Sequence, residues 1–161
     1  MKMGSSMYVA FLAVAFAALF GNTHAISDEN REKLKKEMAP IFMECAKEGS
    51  LNLDDLKQYK GVKELPADEG VTCFFACAFK KIGMIDDKGM FAVEESVERG
   101  KKYMDSEEKQ KHLEEAANTC AAVNDESVSD GDKGCERAKH LYECLIKQAE
   151  KFGLELPTSA V

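Results

Sequence analysis

The chain has 161 residues, which is enough for about one domain. It carries 22 Lys and Arg against 29 Asp and Glu, a net charge of −7, and it is acidic almost throughout, whereas a nucleic-acid-binding protein would show a basic patch. Because 45% of the residues are hydrophobic, the chain can build a core. The composition therefore excludes both a nucleic-acid-binding protein and a disordered one.

The first 25 residues are typical of a secretory signal. Lys2 gives a short positive start, residues 8–20 form an apolar run, and residues 23–25 (Thr-His-Ala) form a small-x-small cleavage pattern. The run is shorter than the roughly 20 residues that span a bilayer. We predict cleavage after residue 25, a single domain over residues 26–161, and a secreted, extracellular protein that does not insert into membranes.

The predicted helices begin with one from Ser27 to Lys47, whose apolar residues recur at spacings of three and four. Pro40 lies inside this stretch and lacks the backbone N–H, so it should kink the helix or split it in two. A short second helix is predicted from Asn52 to Tyr59, and Gly61 stops it.

The third predicted helix, from Asp68 to Ile82, has two distinct faces. At 100° per residue, Cys73 and Cys77 lie on roughly the opposite side from a broad apolar arc. The arc consists of Val71, Phe74, Phe75, Ala78, Phe79 and Ile82. We expect this to be the central helix of the fold, with the two cysteines on one face and three phenylalanines on the opposite face.

Three more helices are predicted after the turn at residues 85–89. They run from about Ala92 to Met104, from Asp105 or Ser106 to Cys120, and from about Lys133 to Phe152. An acidic loop over residues 124–134 separates the last two, and residues 153–161 form a short tail. Since no segment has a strand pattern of any weight, we predict an all-α fold of about six helices.

All six cysteines lie after the predicted cleavage site: Cys45, Cys73, Cys77, Cys120, Cys135 and Cys144. An even number in a short exported chain predicts three disulfides. A zinc site is disfavoured because C-x-x-C pairs are lacking and only His112 and His140 could supply nitrogen ligands. We expect no metal and no cofactor, and we expect both histidines to be solvated.

Helical geometry removes some of the 15 possible pairings. Cys135 and Cys144 on one helix would point about 180° apart and lie about 13 Å apart along the axis, whereas bridged Cα atoms lie within about 7 Å. A bond between Cys73 and Cys77 would strain the helix that carries both. Ten pairings remain open on these grounds.

The cysteine pattern resembles that of the insect odorant-binding proteins, the six-cysteine pheromone-binding and general-odorant-binding family. The shared features are one cysteine in the first helix, then C-x3-C, a long gap, and C-x8-C. The resemblance covers residues 26–161. It implies the pairs Cys45–Cys77, Cys73–Cys135 and Cys120–Cys144, which interlock the helices around an apolar cavity.

Two features depart from the family pattern. Fourteen residues separate Cys120 from Cys135, a few more than in most members. Some pheromone carriers fill their cavity at low pH with an extra C-terminal helix. The tail of this chain is too short for such a helix, so we do not expect it to release ligand in that way.

The resemblance also implies which side chains face the cavity, although a stripe of Phe and Met at helical spacing is by default core. Tyr142 and Tyr103 are candidates for a polar group that orients the ligand. The implied cavity residues are Met38, Phe42, Phe75, Phe79, Met84, Ile85, Phe91, Ala117, Leu141, Tyr142 and Leu145.

No motif for catalysis occurs in the sequence, so we do not expect an enzyme. The resemblance implies a secreted carrier that binds a small hydrophobic ligand (an odorant, a pheromone or a fatty-acid-like molecule) and transports it through aqueous extracellular fluid. A membrane odorant receptor is a further expected partner, and we expect a monomer or weak homodimer.

The alternative is a disulfide-stapled helical protein that acts on another protein, such as a glandular or seminal secretion. An extension is pH-dependent release through the acidic tail that carries Glu155.

Overall fold

The computed structural model describes residues 26–59 and 62–153. The predicted signal at residues 1–25 and the acidic tail with Glu155 lie outside the described residues. The described residues form six α-helices, and they contain no strand apart from an isolated bridge between Ile85 and Phe91. The helices are α1 Asp28–Glu48, α2 Leu53–Leu56, α3 Glu69–Lys81, α4 Val93–Lys101, α5 Glu107–Cys120 and α6 Cys135–Phe152. The all-α prediction is confirmed.

Helix α1 is continuous through Pro40, so of the two outcomes expected there, a kink or a split, the split is wrong. Ser27 caps its start, where the hydroxyl accepts from the backbone N–H of Asn30 at 3.3 Å. Leu34 before the proline and Cys45 after it are both buried. Because tertiary packing holds the helix on both sides of Pro40, the loss of one backbone hydrogen bond does not break it.

Helix α3 lies at the centre of the fold, between α1 and α6. Its cap is Asp68, whose carboxylate accepts from the backbone N–H of Val71 at 3.0 Å. Val71 and Phe74 are buried on its apolar arc. The central position follows from the amphipathic pattern, because this helix has an apolar face broad enough to contact both neighbours.

Helices α4 and α5 are shorter than predicted. Helix α4 ends at Lys101 and not at Met104, and α5 begins at Glu107, where Ser106 rather than Asp105 is the cap. The Ser106 hydroxyl accepts from the backbone N–H of Lys109 at 3.3 Å.

The acidic loop before α6 contains local structure that the sequence pattern did not predict. One 3₁₀ turn, Ala121–Asp125, leads into the loop, and a second, Gly131–Lys133, lies inside it. Asp130 accepts from the backbone N–H of Cys135 at 2.6 Å, so α6 begins at Cys135 and not at Lys133. The buried Arg137 donates to the carbonyl of Val123 and, at 3.4 Å, to that of Glu126. These bonds tie the start of α6 to the backbone of the preceding 3₁₀ turn.

Three disulfides tie the helices together. Cys45–Cys77 joins α1 to α3, Cys73–Cys135 joins α3 to the start of α6, and Cys120–Cys144 joins α5 to α6. Their Cα atoms lie 5.7, 4.4 and 5.7 Å apart, within the ordinary range for a bridge. These are the pairings that the family resemblance implies.

Candidate ligand-binding cavity

A cavity of about 620 Å³ lies between α1, α3, α4, α5 and α6. Its walls are mostly apolar, and its volume falls in the range of about 300–1,000 Å³ that is typical of small-molecule sites. Four of the helices that line it are the ones that the disulfides connect, and α4 and Leu56 of α2 contribute to the lining as well. The cavity is therefore framed largely by cross-linked helices and is partly open to the outside.

The aromatic wall of the cavity is centred on Phe75. Its ring centroid lies 5.4 Å from that of Phe74, 6.1 Å from that of Phe79 and 4.9 Å from that of Tyr142. Phe75 and Phe79 are only partly buried although they pack against the core, because part of each ring faces the cavity. The two sides of α3 differ as predicted, with sulfurs bonded on one side and rings on the other.

Nine of the eleven residues implied by the resemblance line the cavity. They are Met38, Phe42, Phe75, Phe79, Met84, Phe91, Ala117, Tyr142 and Leu145.

Ile85 and Leu141, which the resemblance also implies, are not among the residues that line the cavity. Ile85 is 2% exposed and bridges to Phe91, and Leu141 is fully buried with Ala138 and Cys120 in the core.

Many lining residues were not predicted, among them all of those on α4 and most of those on α5. They include Ser96, Gly100, Leu113 and Ala116. A Cβ atom at Gly100 would lie 2.7 Å from Cδ2 of Leu113, so the glycine allows α4 and α5 to approach closely at the wall. In the sequence this glycine indicated only a weak helix end. Leu34 and Ile41 were on the predicted apolar face of the first helix, but nothing in the sequence distinguished cavity positions from core positions there.

The two tyrosines proposed as polar groups are engaged with the protein. The Tyr142 hydroxyl donates to the carbonyl of Tyr59 at 2.8 Å. The Tyr103 hydroxyl donates to the carboxylate of Glu37 in a short hydrogen bond, which connects α1 to the segment between α4 and α5. Burial and, to a lesser extent, Glu37 raise the pKa of Tyr103 to about 12.

Charged side chains surround the cavity at its rim. Four are cationic (Lys33, Lys81, Arg99 and Lys102), and one, Glu37, is anionic. Lys81 pairs with Glu44 at 2.9 Å and with Glu48 at 3.3 Å, and the hydrogen bond that it donates to Glu44 contributes most to raising the pKa of Lys81.

The histidines lie away from the cavity. His112 is partly exposed and stacks on Phe152 with ring centroids 4.6 Å apart. His140 lies 3.0 Å from a carboxylate oxygen of Glu126.

In the described part of the chain, no His, Cys, Asp or Glu side chains are grouped as they would be around a metal ion. Among the helices described, none is both long and apolar enough to cross a bilayer.

Comparison with known proteins gives a consistent result. Residues 27–148 match the sequence model of the PBP/GOBP family. General odorant-binding protein 28a of Drosophila melanogaster is 31% identical over 124 residues, which are 74% of this chain and 83% of that protein. General odorant-binding protein 19d of the same fly is 26% identical over 133 residues, 82% of this chain and 85% of the relative. The solved structure of the Drosophila odorant-binding protein 28a superposes with a TM-score of 0.62 at 26% identity, covering 78% of this chain and 99% of that one.

Proposed function

Because the chain belongs to the PBP/GOBP family of insect odorant-binding proteins, we propose that it is a secreted carrier that binds small hydrophobic molecules reversibly and does not alter them. The observation that carries this proposal is the apolar cavity of about 620 Å³ within the disulfide-linked helices. Its aromatic and aliphatic walls hold no arrangement of groups that would perform chemistry. The ligand is expected to lie against the Phe75 wall.

The energetics suit a carrier. Burying a chain of about 14 carbons gains about 11 kcal/mol at roughly 0.8 kcal/mol per methylene. Association costs at least about 4 kcal/mol, so the net gain of about 7 kcal/mol corresponds to micromolar dissociation constants. Binding of this strength allows a ligand to be both captured and released. Methionines such as Met38 and Met84 suit such a site, because their flexible thioethers adapt to ligands of different shapes.

The cross-links support this function because they hold the walls in place when the cavity is empty. Each disulfide closes a loop of 24 to 62 residues. In the chain-entropy model, each contributes about 3–4 kcal/mol of stability. This stabilisation offsets the loss of packing that an open cavity imposes on a small domain.

The alternative, a protein that acts by contact with another protein, is less well supported. Among the described residues, the large hydrophobic side chain that stands out on the surface is Met43, which is 62% exposed. A single exposed apolar residue does not form the contiguous patch that marks a docking surface.

Intrinsic fluorescence offers a direct test, because the chain contains no Trp. The variant Phe79→Trp places a single reporter on the cavity wall, and Phe152→Trp places a matched reporter on the His112 stack outside it. With the chain expressed from its own leader in secreting insect cells, tetradecan-1-ol should change the Phe79→Trp emission saturably and leave that of Phe152→Trp unchanged. An absence of saturable binding would contradict the carrier proposal.

The proposal extends to export and partners. Ile26, the first residue after the proposed cleavage site, is 5% exposed and packs beside Leu34, which supports its belonging to the mature domain. Amino-terminal sequencing of the secreted protein should therefore begin at Ile26, and another first residue would contradict the cleavage site.

We also propose that the carrier is a monomer or weak homodimer and delivers its ligand to a membrane odorant receptor. Sedimentation and receptor-activation assays test these two points.

A further inference from the structure

The charge at the cavity rim is opposite in sign to that of the chain. The whole chain has a net charge of −7, yet the lining residues include four cations and one anion. Three of these five groups are occupied by protein contacts. Lys81 pairs with Glu44 and Glu48, the Nζ of Lys33 lies 5.9 Å from the Tyr103 ring centre, and Glu37 accepts from the Tyr103 hydroxyl.

Arg99 and Lys102 are the two remaining cations. Neither forms an ion pair with any described residue, although Glu95 and Glu98 border the outer groove beside them. The two are three positions apart at the C-terminal end of α4, where like charges on one face repel each other. An anion between them would remove this repulsion.

The guanidinium of Arg99 lies against the backbone of Gly83, which has φ +75°. A Cβ atom at residue 83 would lie 2.9 Å from the guanidinium carbon of Arg99, so the absence of a side chain makes room for the guanidinium. Gly83 lies between Ile82 and Met84, which both line the cavity. The guanidinium is therefore held at the edge of the apolar wall, where one end of a bound chain molecule would emerge.

From this placement we propose that the preferred ligands are amphiphiles with a carboxylate headgroup, which Arg99 binds with support from Lys102 while the hydrocarbon chain lies in the cavity. This inference rests on the proposed carrier function and specifies its ligand class. A guanidinium presents parallel N–H donors that match the two oxygens of a carboxylate. Because both cations are exposed, the contribution weakens as salt concentration rises.

The test compares two ligands of equal chain length, tetradecanoic acid and tetradecan-1-ol, at neutral pH. Affinities are measured by displacement of a neutral fluorescent probe from the secreted protein. The native protein should bind the acid more tightly than the alcohol. Arg99→Gln should weaken binding of the acid about tenfold, the size of one charge-assisted hydrogen bond, and should leave binding of the alcohol unchanged.

Matched variants separate local from general effects. Lys147→Gln removes the same charge from an exposed position on α6 that does not line the cavity, and it should change neither affinity. Arg99→Lys should restore part of the preference for the acid. Equal affinity for the two ligands, or an equal effect of Lys147→Gln, would overturn the headgroup proposal and leave the carrier function intact. Failure of both ligands to displace the probe would overturn both proposals.

Discussion

Tyr103 illustrates how a single residue can join two walls of the cavity. Its hydroxyl donates to Glu37 on α1, and its backbone carbonyl accepts from the Asn30 side chain at 3.2 Å. The same Asn30 amide donates to Asp105 at 2.9 Å. Together these contacts connect α1 to the segment between α4 and α5, so we expect them to limit how far the cavity opens on that side.

The ionisation of Tyr103 gives a prediction with a definite sign. Its pKa is raised from 10.0 to about 12 in the folded protein. The stabilisation that depends on the protonated hydroxyl is therefore fully present below pH 10.0 and is lost as the pH rises towards about 12. An ultraviolet titration of tyrosinate should contain a component with a pKa near 12 that is absent in Tyr103→Phe.

Glu37→Gln provides the control for this assignment. The variant keeps a hydrogen-bond acceptor but removes the charge that opposes ionisation, so the pKa of Tyr103 should fall towards its ordinary value and remain above it because burial still acts. If the titration of Tyr103→Phe matched that of the native protein, the shifted component would belong to another residue.

At the scale of elements, the junction of α4 and α5 separates stability from cavity volume. Gly100 lies inside α4 with its Cα facing Leu113 on α5. A methyl group at residue 100 would lie 2.7 Å from the tip of the Leu113 side chain, which is flexible and lines the cavity. The side chain can move, and the space available to it is the cavity itself.

We therefore predict that Gly100→Ala weakens ligand binding without lowering stability. Alanine favours a helix over glycine by about 1 kcal/mol, which offsets the cost of moving Leu113. Thermal unfolding should show an unchanged or higher midpoint, whereas the affinity for tetradecan-1-ol should fall. The double variant Gly100→Ala, Leu113→Val shortens the displaced side chain and should recover part of the affinity. Unchanged binding by the single variant would indicate that Leu113 moves elsewhere.

The helices themselves were largely predictable, since the longer ones have an apolar periodicity. Ser27 and Asp68, the residues at which two of the predicted helices start, cap those helices in the structure. The continuity of α1 through Pro40 was not predictable, because contacts distant in sequence hold the helix together. The caps inside the acidic loop were missed for the same reason. Asp130 and Arg137 act on backbone groups whose positions depend on the tertiary fold.

The candidate site was predictable where it follows from one helix face and less so where several elements meet. Phe75 and Phe79 lie on the apolar arc of α3, so their position follows from periodicity once the resemblance is taken into account. Leu141 and Leu145 are both apolar positions on α6, and only the packing of α5 determines which of them faces the cavity. Arg99 was missed because, in sequence, an exposed cation on a charged helix indicates solvent.

At the scale of the whole molecule, the disulfides differ in what they connect. Cys73–Cys135 closes a loop of 62 residues and joins α3 to α6, the two helices that carry the aromatic wall. Cys120–Cys144 closes a loop of 24 residues and joins α5 to α6. In the chain-entropy model, their removal costs about 4 and about 3 kcal/mol respectively. The first bridge should also matter more for binding, because it fixes the spacing of Phe75 and Tyr142.

We therefore predict a definite order among the paired alanine variants. Replacing Cys73 and Cys135 together should lower the free energy of unfolding more than replacing Cys120 and Cys144, as measured by urea denaturation. The affinity for tetradecan-1-ol should fall further in the first variant than in the second, under conditions where both remain folded. The two measurements test separate parts of the argument, since loop length governs stability in the unfolded chain and wall geometry governs binding in the folded one. Equal affinities in both variants would indicate that packing alone, without the α3–α6 bridge, holds the aromatic wall open.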